Sequence, residues 1–319
     1  MPAFSLTHAS SVALTAAVRH RRAILFMIVA AVCWSSGGIL VRALSIANAW
    51  EIVFWRSLFM AAFVAGVLFV LHGVRMPRAV VAVGRPGLLS GLLLAATFFF
   101  FIGSLTRTTV ANTFVLMSVS PFLAALAGRL VLNEKVPART WIAIGVAFGG
   151  IVVMFADSLD AGRLAGNLMA LGVSCCFAGQ VTVLRLYHAR IDMLPQVLIA
   201  GLCSLAFAFI LSPPFAASGR DIAILAFMGC VQLGTGCLLA TAASRELSAT
   251  ELGLLALLEP ILGPLWVWAF MGERPDDATL AGGVIVLTAV IANEVVAAWR
   301  AAREGTVTSA PPPTLTPGP

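Results

Sequence analysis

The chain alternates long apolar runs with short polar interruptions. Ten runs can be drawn, over approximately 23–43, 50–71, 87–105, 109–131, 140–157, 165–186, 193–211, 221–243, 250–271 and 279–298. Each approaches the ~20 residues that a helix needs to cross the hydrocarbon core of a bilayer. The third and fourth runs are parted only by residues around Thr106, Arg107 and Thr108, and together they exceed any single span. The pattern predicts an all-α integral membrane protein with ten transmembrane helices.

The two halves of the chain repeat. Around the fourth run the sequence is SVSPFLAALAGRLVLNEK, and around the ninth it is LLEPILGPLWVWAFMGER. Aligned at Pro121 and Pro260, these also match Leu123 with Leu262, Leu126 with Leu265, Glu134 with Glu273 and Lys135 with Arg274. A second match lays CWSSGGILVR (Cys33–Arg42) over CFAGQVTVLR (Cys176–Arg185). An odd number of runs per half sets the second half upside down against the first. The prediction is two inverted five-helix repeats, a construction that places a site near the midplane between the halves. The corresponding organisation is a cytoplasmic N-terminal tail at 1–22, a first repeat at 23–157, a second at 165–298, and a disordered cytoplasmic tail at 299–319, which ends in the Pro/Thr-rich TVTSAPPPTLTPGP.

Composition agrees. The 319 residues are 60% hydrophobic and 11% charged, with mean hydropathy +1.00, where a soluble domain carries about 25% charged residues. The net charge of +6 is distributed asymmetrically. With Arg56 set aside as lying within a run, fourteen Lys and Arg fall on the side of the termini and five on the other. By the positive-inside rule both termini face the cytoplasm, as in a bacterial inner-membrane protein. The charge is then an orientation signal, with the lipid bilayer as partner and no nucleic acid implied. Residues 1–20 lack a continuous apolar core and read as a short cytoplasmic tail. The six cysteines lie in apolar runs without a CxxC pair, and the four histidines form no metal or catalytic pattern. No metal, no catalytic residue and no cofactor is expected, and the absence of a Walker A loop argues against ATP hydrolysis. The chain is therefore not read as an enzyme.

Candidate chemistry concentrates in Leu252–Met271. Glu259 is a carboxylate near the middle of a span, which is costly and marks a functional-site hypothesis. Pro260 removes the donor to the Ala256 carbonyl, and Pro264 the donor to the Pro260 carbonyl. Pro121 similarly frees the Met117 carbonyl, beside Ser118 and Ser120; those hydroxyls serve either a substrate or their own helix. Trp34 stands in the small-residue stretch Trp34–Gly38 as an apolar wall. Gln180, Gln232 and Thr235 are polar groups at membrane depth that must face inward, with Gln232 and Thr235 on one helical face. Arg56 is read as snorkelling or as a structural ion pair with a carboxylate such as Glu259, ahead of substrate binding. Phe98–Phe101 reads as lipid-facing and core bulk. Glu134 and Glu273 read as interfacial anchors at opposite faces. A carboxyl group in low dielectric resists ionisation, which suits proton coupling through Glu259; a nearby cation would instead hold it charged as a partner for an ammonium group.

These features together resemble the drug/metabolite transporter superfamily, EamA type. The resemblance rests on the ten runs, the five-plus-five repeat, the LLEPILGPLWVWAFMGER stretch, its twin ending in LNEK, and FWRSLFMAAF, and it covers about residues 23–298. It implies interlocked inverted repeats around a central cavity, with the fifth and tenth helices at the periphery. It also implies a secondary transporter that exports small metabolites, amino acids first among them, as a monomer or homodimer. An uncoupled facilitator or a drug/metabolite efflux carrier shares that fold, and a membrane scaffold without transport is the alternative of another class. Pro121, Glu259 and Pro260 map onto the broken centres of the repeat helices. Ser120 stands where a symmetric two-carboxylate arrangement would need a glutamate.

Overall fold

A computed structural model describes residues 3–46, 48–160, 163–187, 193–212, 215–247 and 249–308. Among these, the regular structure is helical throughout. Nine helices are long and apolar enough to cross a membrane, and a further one, Ala138–Asp160, is apolar over Ala138–Met154. The spans are Val18–Arg42, Ala49–His72, Gly84–Leu105, Val110–Val131, Ala138–Asp160, Leu164–Leu186, Met193–Leu211, Gly219–Ala243, Glu251–Met271 and Asp277–Ala297, here numbered one to ten. The last helix continues to Thr308, beyond the predicted start of a tail at 299; residues 309–319 lie outside the described residues.

Large apolar side chains cover the outside of the bundle. Val70, Val74, Phe270 and Ile210 are each at least 70% exposed, a lipid-facing surface for a multi-pass membrane protein. Polar groups turn inward instead: Glu51, Asn112, Asn167 and Ser204 are fully buried. Without a hydrophobic force between helices, association in lipid depends on close packing and interhelical hydrogen bonds.

The packing follows a pseudo-twofold. Span three packs on six as eight packs on one; four on six as nine on one; three on seven as eight on two. The pairs two–seven, four–nine and five–ten map onto themselves. Nearly all substantial contacts thus cross between the repeats, so neither half is a self-sufficient bundle. Spans five and ten chiefly grip each other, away from the centre. Acidic groups tie the connecting segments. Glu51 Oε1 accepts from the Ala216 and Ala217 amides, both at 2.8 Å, and Asp221 accepts from the Ser45 amide at 2.9 Å.

Spans five and ten meet through glycine. A Cβ on Gly150 would stand 2.7 Å from the Gly282 carbonyl oxygen, whereas one on the adjacent Gly149 would meet nothing within 4 Å. Gly150→Leu should therefore push the two backbones apart and lower the melting temperature of the detergent-solubilised protein, a loss on the order of 1–3 kcal/mol. Gly149→Leu should leave it unchanged or higher. A fluorescence-detected size-exclusion melt of both variants checks the pair.

Candidate functional site

Four spans are interrupted at mid-course. Span one breaks at Ser36, between Ala3–Ser35 and Gly37–Arg42. Span four breaks between Val110–Met117 and Ser120–Val131, next to Pro121. Span nine breaks at Leu257, between Ala249–Ala256 and Leu258–Met271, next to Pro260. Span eight widens into a π-helix over Met228–Thr235, a geometry found mostly at functional sites.

Hydroxyl groups close most of the opened backbone. Ser35 donates to the Val32 carbonyl at 2.9 Å and Ser36 to the Cys33 carbonyl at 2.6 Å. Ser118 donates to Val115 at 2.6 Å and Ser120 to Met117 at 2.5 Å. Ser174, from span six, reaches the Leu116 and Met117 carbonyls at 3.0 and 3.1 Å. The Pro121 break is thus satisfied by protein, and of the two roles open to Ser118 its hydroxyl takes the one on its own helix. Thr235 likewise donates to the Cys230 carbonyl at 3.1 Å, spanning the π-turn, so its hydroxyl is held by its own helix while Gln232 points elsewhere.

A second group of polar side chains converges where spans one, two, three, eight and nine meet. Gln232 Nε2 donates to the Trp34 carbonyl at 3.3 Å, leaving Gln232 Oε1 buried without a partner. The Trp34 indole lies against Gly236, where an added Cβ would stand 2.4 Å from Nε1, and that N–H is also buried and unpartnered. Gly37 lies beside both Gln232 Nε2 and the Phe101 ring. The Arg56 guanidinium sits 5.2 Å from the Phe98 centroid and 5.8 Å from that of Phe101. Arg56 is 1% exposed and, among the described residues, hydrogen-bonds to no protein group through Nε or Nη2. Cys237 packs in the same cluster as Phe98 and Trp34.

Two expectations change here. Arg56 neither snorkels nor pairs with Glu259. A Cβ on Gly229 would stand 2.6 Å from the Arg56 carbonyl oxygen, so the π-helix packs closely on the backbone of span two here, and the side chain lies inward against Phe98 and Phe101. Phe98 and Phe101 are buried against Arg56 and do not face lipid. Phe101 also packs edge-on against Phe114, with centroids 5.8 Å apart. Glu259 is half-buried and, among the described residues, makes no ion pair or hydrogen bond. It lies in the first turn of Leu258–Met271, where the helix dipole favours negative charge. Just beyond it the span packs on span one, through Trp266 Nε1 to Ser35 Oγ at 3.0 Å. Gln180 is buried in span six with Oε1 unpartnered, and its helix packs on spans three and four. Cys237 was not singled out from the sequence, Arg56 was read only as a charge partner and Phe98 and Phe101 only as bulk; an arginine eight residues into a span was the signal for this cluster.

The repeat matches reappear as ion pairs across the halves. Arg42 pairs with Glu273 through Nε at 2.7 Å and Nη2 at 3.3 Å. Its repeat equivalent, Arg185, pairs with Glu134 at 3.1 Å. The first pair is enclosed: Arg42 also donates to the Leu105 and Thr108 carbonyls, and Glu273 accepts from the Val110 amide at 3.0 Å. Beside it, Thr108, Asn112, Asn167 and Thr279 are linked by side-chain hydrogen bonds, and Arg163 pairs with Asp276. The second pair is about half exposed and borders a cavity of ≈ 600 Å³ lined by Val131, Leu132, Glu134, Arg185 and Leu186.

Comparison with known proteins places this geometry. Residues 21–156 and 164–293 each match the model of the EamA-like transporter family. The pseudopaline exporter CntI of Pseudomonas aeruginosa is 28% identical over 257 residues, covering 76% of this chain and 84% of that protein. The uncharacterized transporter YwfM of Bacillus subtilis is 24% identical over 203 residues, covering 60% of this chain and 67% of its own. A solved crystal structure at 16% identity superposes with a TM-score of 0.60 over 84% of this chain and 96% of that one, a likeness of fold.

If the cluster borders an aqueous space, single cysteines introduced at Gln232 and Glu259 in a cysteine-free variant should react with a small water-soluble thiol reagent. A cysteine at Ser118, buried against its own helix, should react at least about tenfold more slowly, as for a site that must open first. Equal rates at all three positions would remove the distinction between the two groups.

Proposed function

We propose a function from one premise: the chain belongs to the EamA-like transporter family, and is thus a multi-pass membrane transporter. The reading is a secondary transporter that exports small metabolites, amino acids first among them, across the inner membrane by alternating access. The observation that carries it is the unequal pair of repeat-related ion pairs, Arg42–Glu273 enclosed at one face and Arg185–Glu134 exposed at the other. A carrier built from inverted repeats exchanges the environments of equivalent groups when one half rocks against the other. Equivalent pairs in different states are what a single stop of that motion looks like.

The charge bias puts Arg185–Glu134 on the cytoplasmic side, beside Lys135 and Arg139, and both termini there as well. In that orientation Arg42–Glu273, the less exposed and more fully bonded pair, lies on the outer side and Arg185–Glu134 on the inner, which supports a state in which an exporter loads. A relative that carries the name of an exporter supports the direction. Trp34, Gln180, Gln232 and Glu259 supply the polar groups of the substrate path, and the breaks at Pro121 and Pro260 supply its hinges. Glu259, a carboxylate with no ion-pair partner among the described residues, is the candidate for proton coupling or for holding a substrate ammonium.

Purified protein in proteoliposomes, assayed against a panel of radiolabelled amino acids with and without a pH gradient, tests the reading. Flux of at least one amino acid, with counterflow, is expected; none at all would remove amino acids as the substrate class. Glu259→Gln keeps shape but not charge. If it couples protons, the variant loses gradient-driven flux and keeps exchange; if it binds an ammonium group, both fail together. Unchanged flux and pH dependence would remove Glu259 from the mechanism.

The ion pairs give a separate expectation. Removing a charge-assisted bond costs ~1.5–3 kcal/mol, so Glu273→Gln should raise the labelling of a cysteine at Glu259 by an impermeant reagent added outside by about tenfold. Glu134→Gln should not raise it. The reverse pattern would invert the assigned orientation.

A further inference from the structure

We infer that Arg56 anchors a carboxylate group of the transported molecule. This rests on the transporter reading above and goes beyond it by assigning a substrate-binding residue and the chemical class it selects.

Arg56 is among the largest fully buried side chains of the protein, and a buried cation is tolerated only where something compensates it. Phe98 and Phe101 contribute cation–π attraction, but neither ring satisfies an N–H. No acidic side chain among the described residues forms an ion pair with Arg56. The groups left over are specific. Nε and Nη2 are neighbours on one edge of the planar guanidinium, and this edge matches the two oxygens of a carboxylate. The same protein shows the match made: Arg42 holds the Glu273 carboxylate with Nε at 2.7 Å and Nη2 at 3.3 Å. Arg56 presents that edge, buried, to no protein acceptor.

The surroundings narrow the ligand further. One cation set between aromatic rings balances one negative charge, as a carboxylate carries, and a doubly charged phosphate would bring an uncompensated charge into the same place. Gly229 packed on the Arg56 backbone fixes the anchor from behind. Cys237 packs in the same cluster as Phe98, the ring beside Arg56, and Phe101 leads through Phe114 to Gly263, one turn along span nine from Glu259, while Arg56 and Glu259 form no ion pair among the described residues. A molecule with a carboxylate at Arg56 and an ammonium group toward Glu259 would satisfy both and cross the thiol. The class is a small zwitterionic amino carboxylate.

Cys237 is the reporter. In a variant retaining it as the sole cysteine, alkylation by N-ethylmaleimide is timed with propionate, phosphate, L-leucine or L-leucinamide present at equal ionic strength. Propionate and L-leucine should slow the reaction, at least about fivefold better than phosphate or L-leucinamide, because the fork reads a carboxylate. Arg56→Gln should erase that preference, and Arg56→Lys should keep a reduced one. Both variants should elute as the native species and melt no lower, since an unpaired buried cation does not hold the fold; a collapsed Arg56→Gln would assign the arginine to structure and overturn the proposal. A carboxylate preference that survives Arg56→Gln, or equal protection by L-leucine and L-leucinamide in the parent, would also overturn it. Leucine flux in proteoliposomes is read separately. Arg56-dependent protection without amino-acid flux leaves the anchor standing and removes amino acids as cargo; flux without Arg56-dependent protection does the opposite.

Discussion

A helix opened inside a bilayer exposes carbonyls and amides that lipid cannot satisfy, and the architecture of this protein is organised by how those groups are covered. Proline at 121 and 260, and the Ser-Ser-Gly-Gly stretch at 35–38, open three spans. Serine hydroxyls then close the opened turns of spans one and four, most from the same helix and one from a neighbour, Ser174. Because the breaks must be shielded, the broken spans lie inside, and the unbroken fifth and tenth are left to the periphery, bound to each other through glycine.

The same covering separates two kinds of polar group. Ser118, Ser120, Ser174 and Thr235 have their hydrogen bonds made by the protein. Trp34, Gln232 and Arg56 retain buried atoms with no protein partner. A polar atom placed at depth and left unpaired by its own fold costs stability, and functional sites are where proteins tolerate that cost.

Much of this was legible in the sequence because bilayers make hydropathy so direct a guide. All ten spans appear within a few residues of the runs, and the residues of the two repeat matches, Arg42 with Arg185 and Glu134 with Glu273, are those that form equivalent ion pairs in the structure. What the sequence could not give is the partner across the interface. Glu134 and Glu273 read as anchors because their arginines lie 51 and 231 residues away. Arg56 read as half of an ion pair with Glu259 because both are deep charges, and depth along one helix says nothing of direction around it. Phe98 and Phe101 read as bulk for the same reason. Composition identifies a buried charge; only the packing of its neighbours, here Phe98 and Phe101, tells which way it points.

The π-stretch in span eight shows how far that lesson extends. A π-turn bonds residue i to i+5 in place of i+4, so the segment Met228–Thr235 holds more chain per turn than the α-helices on either side. A helical wheel drawn at 100° per residue through this span therefore loses phase, and every position after Thr235 is rotated from where the wheel puts it. The pairing of Gln232 with Thr235 on one face was such a wheel, and it parted them. The seam also sets what the chain can lose: deleting one residue outside it would swing Cys237 and the C-terminal half of the span out of register with span one, whereas inside it the backbone already carries the surplus that a return to plain α-helix would absorb.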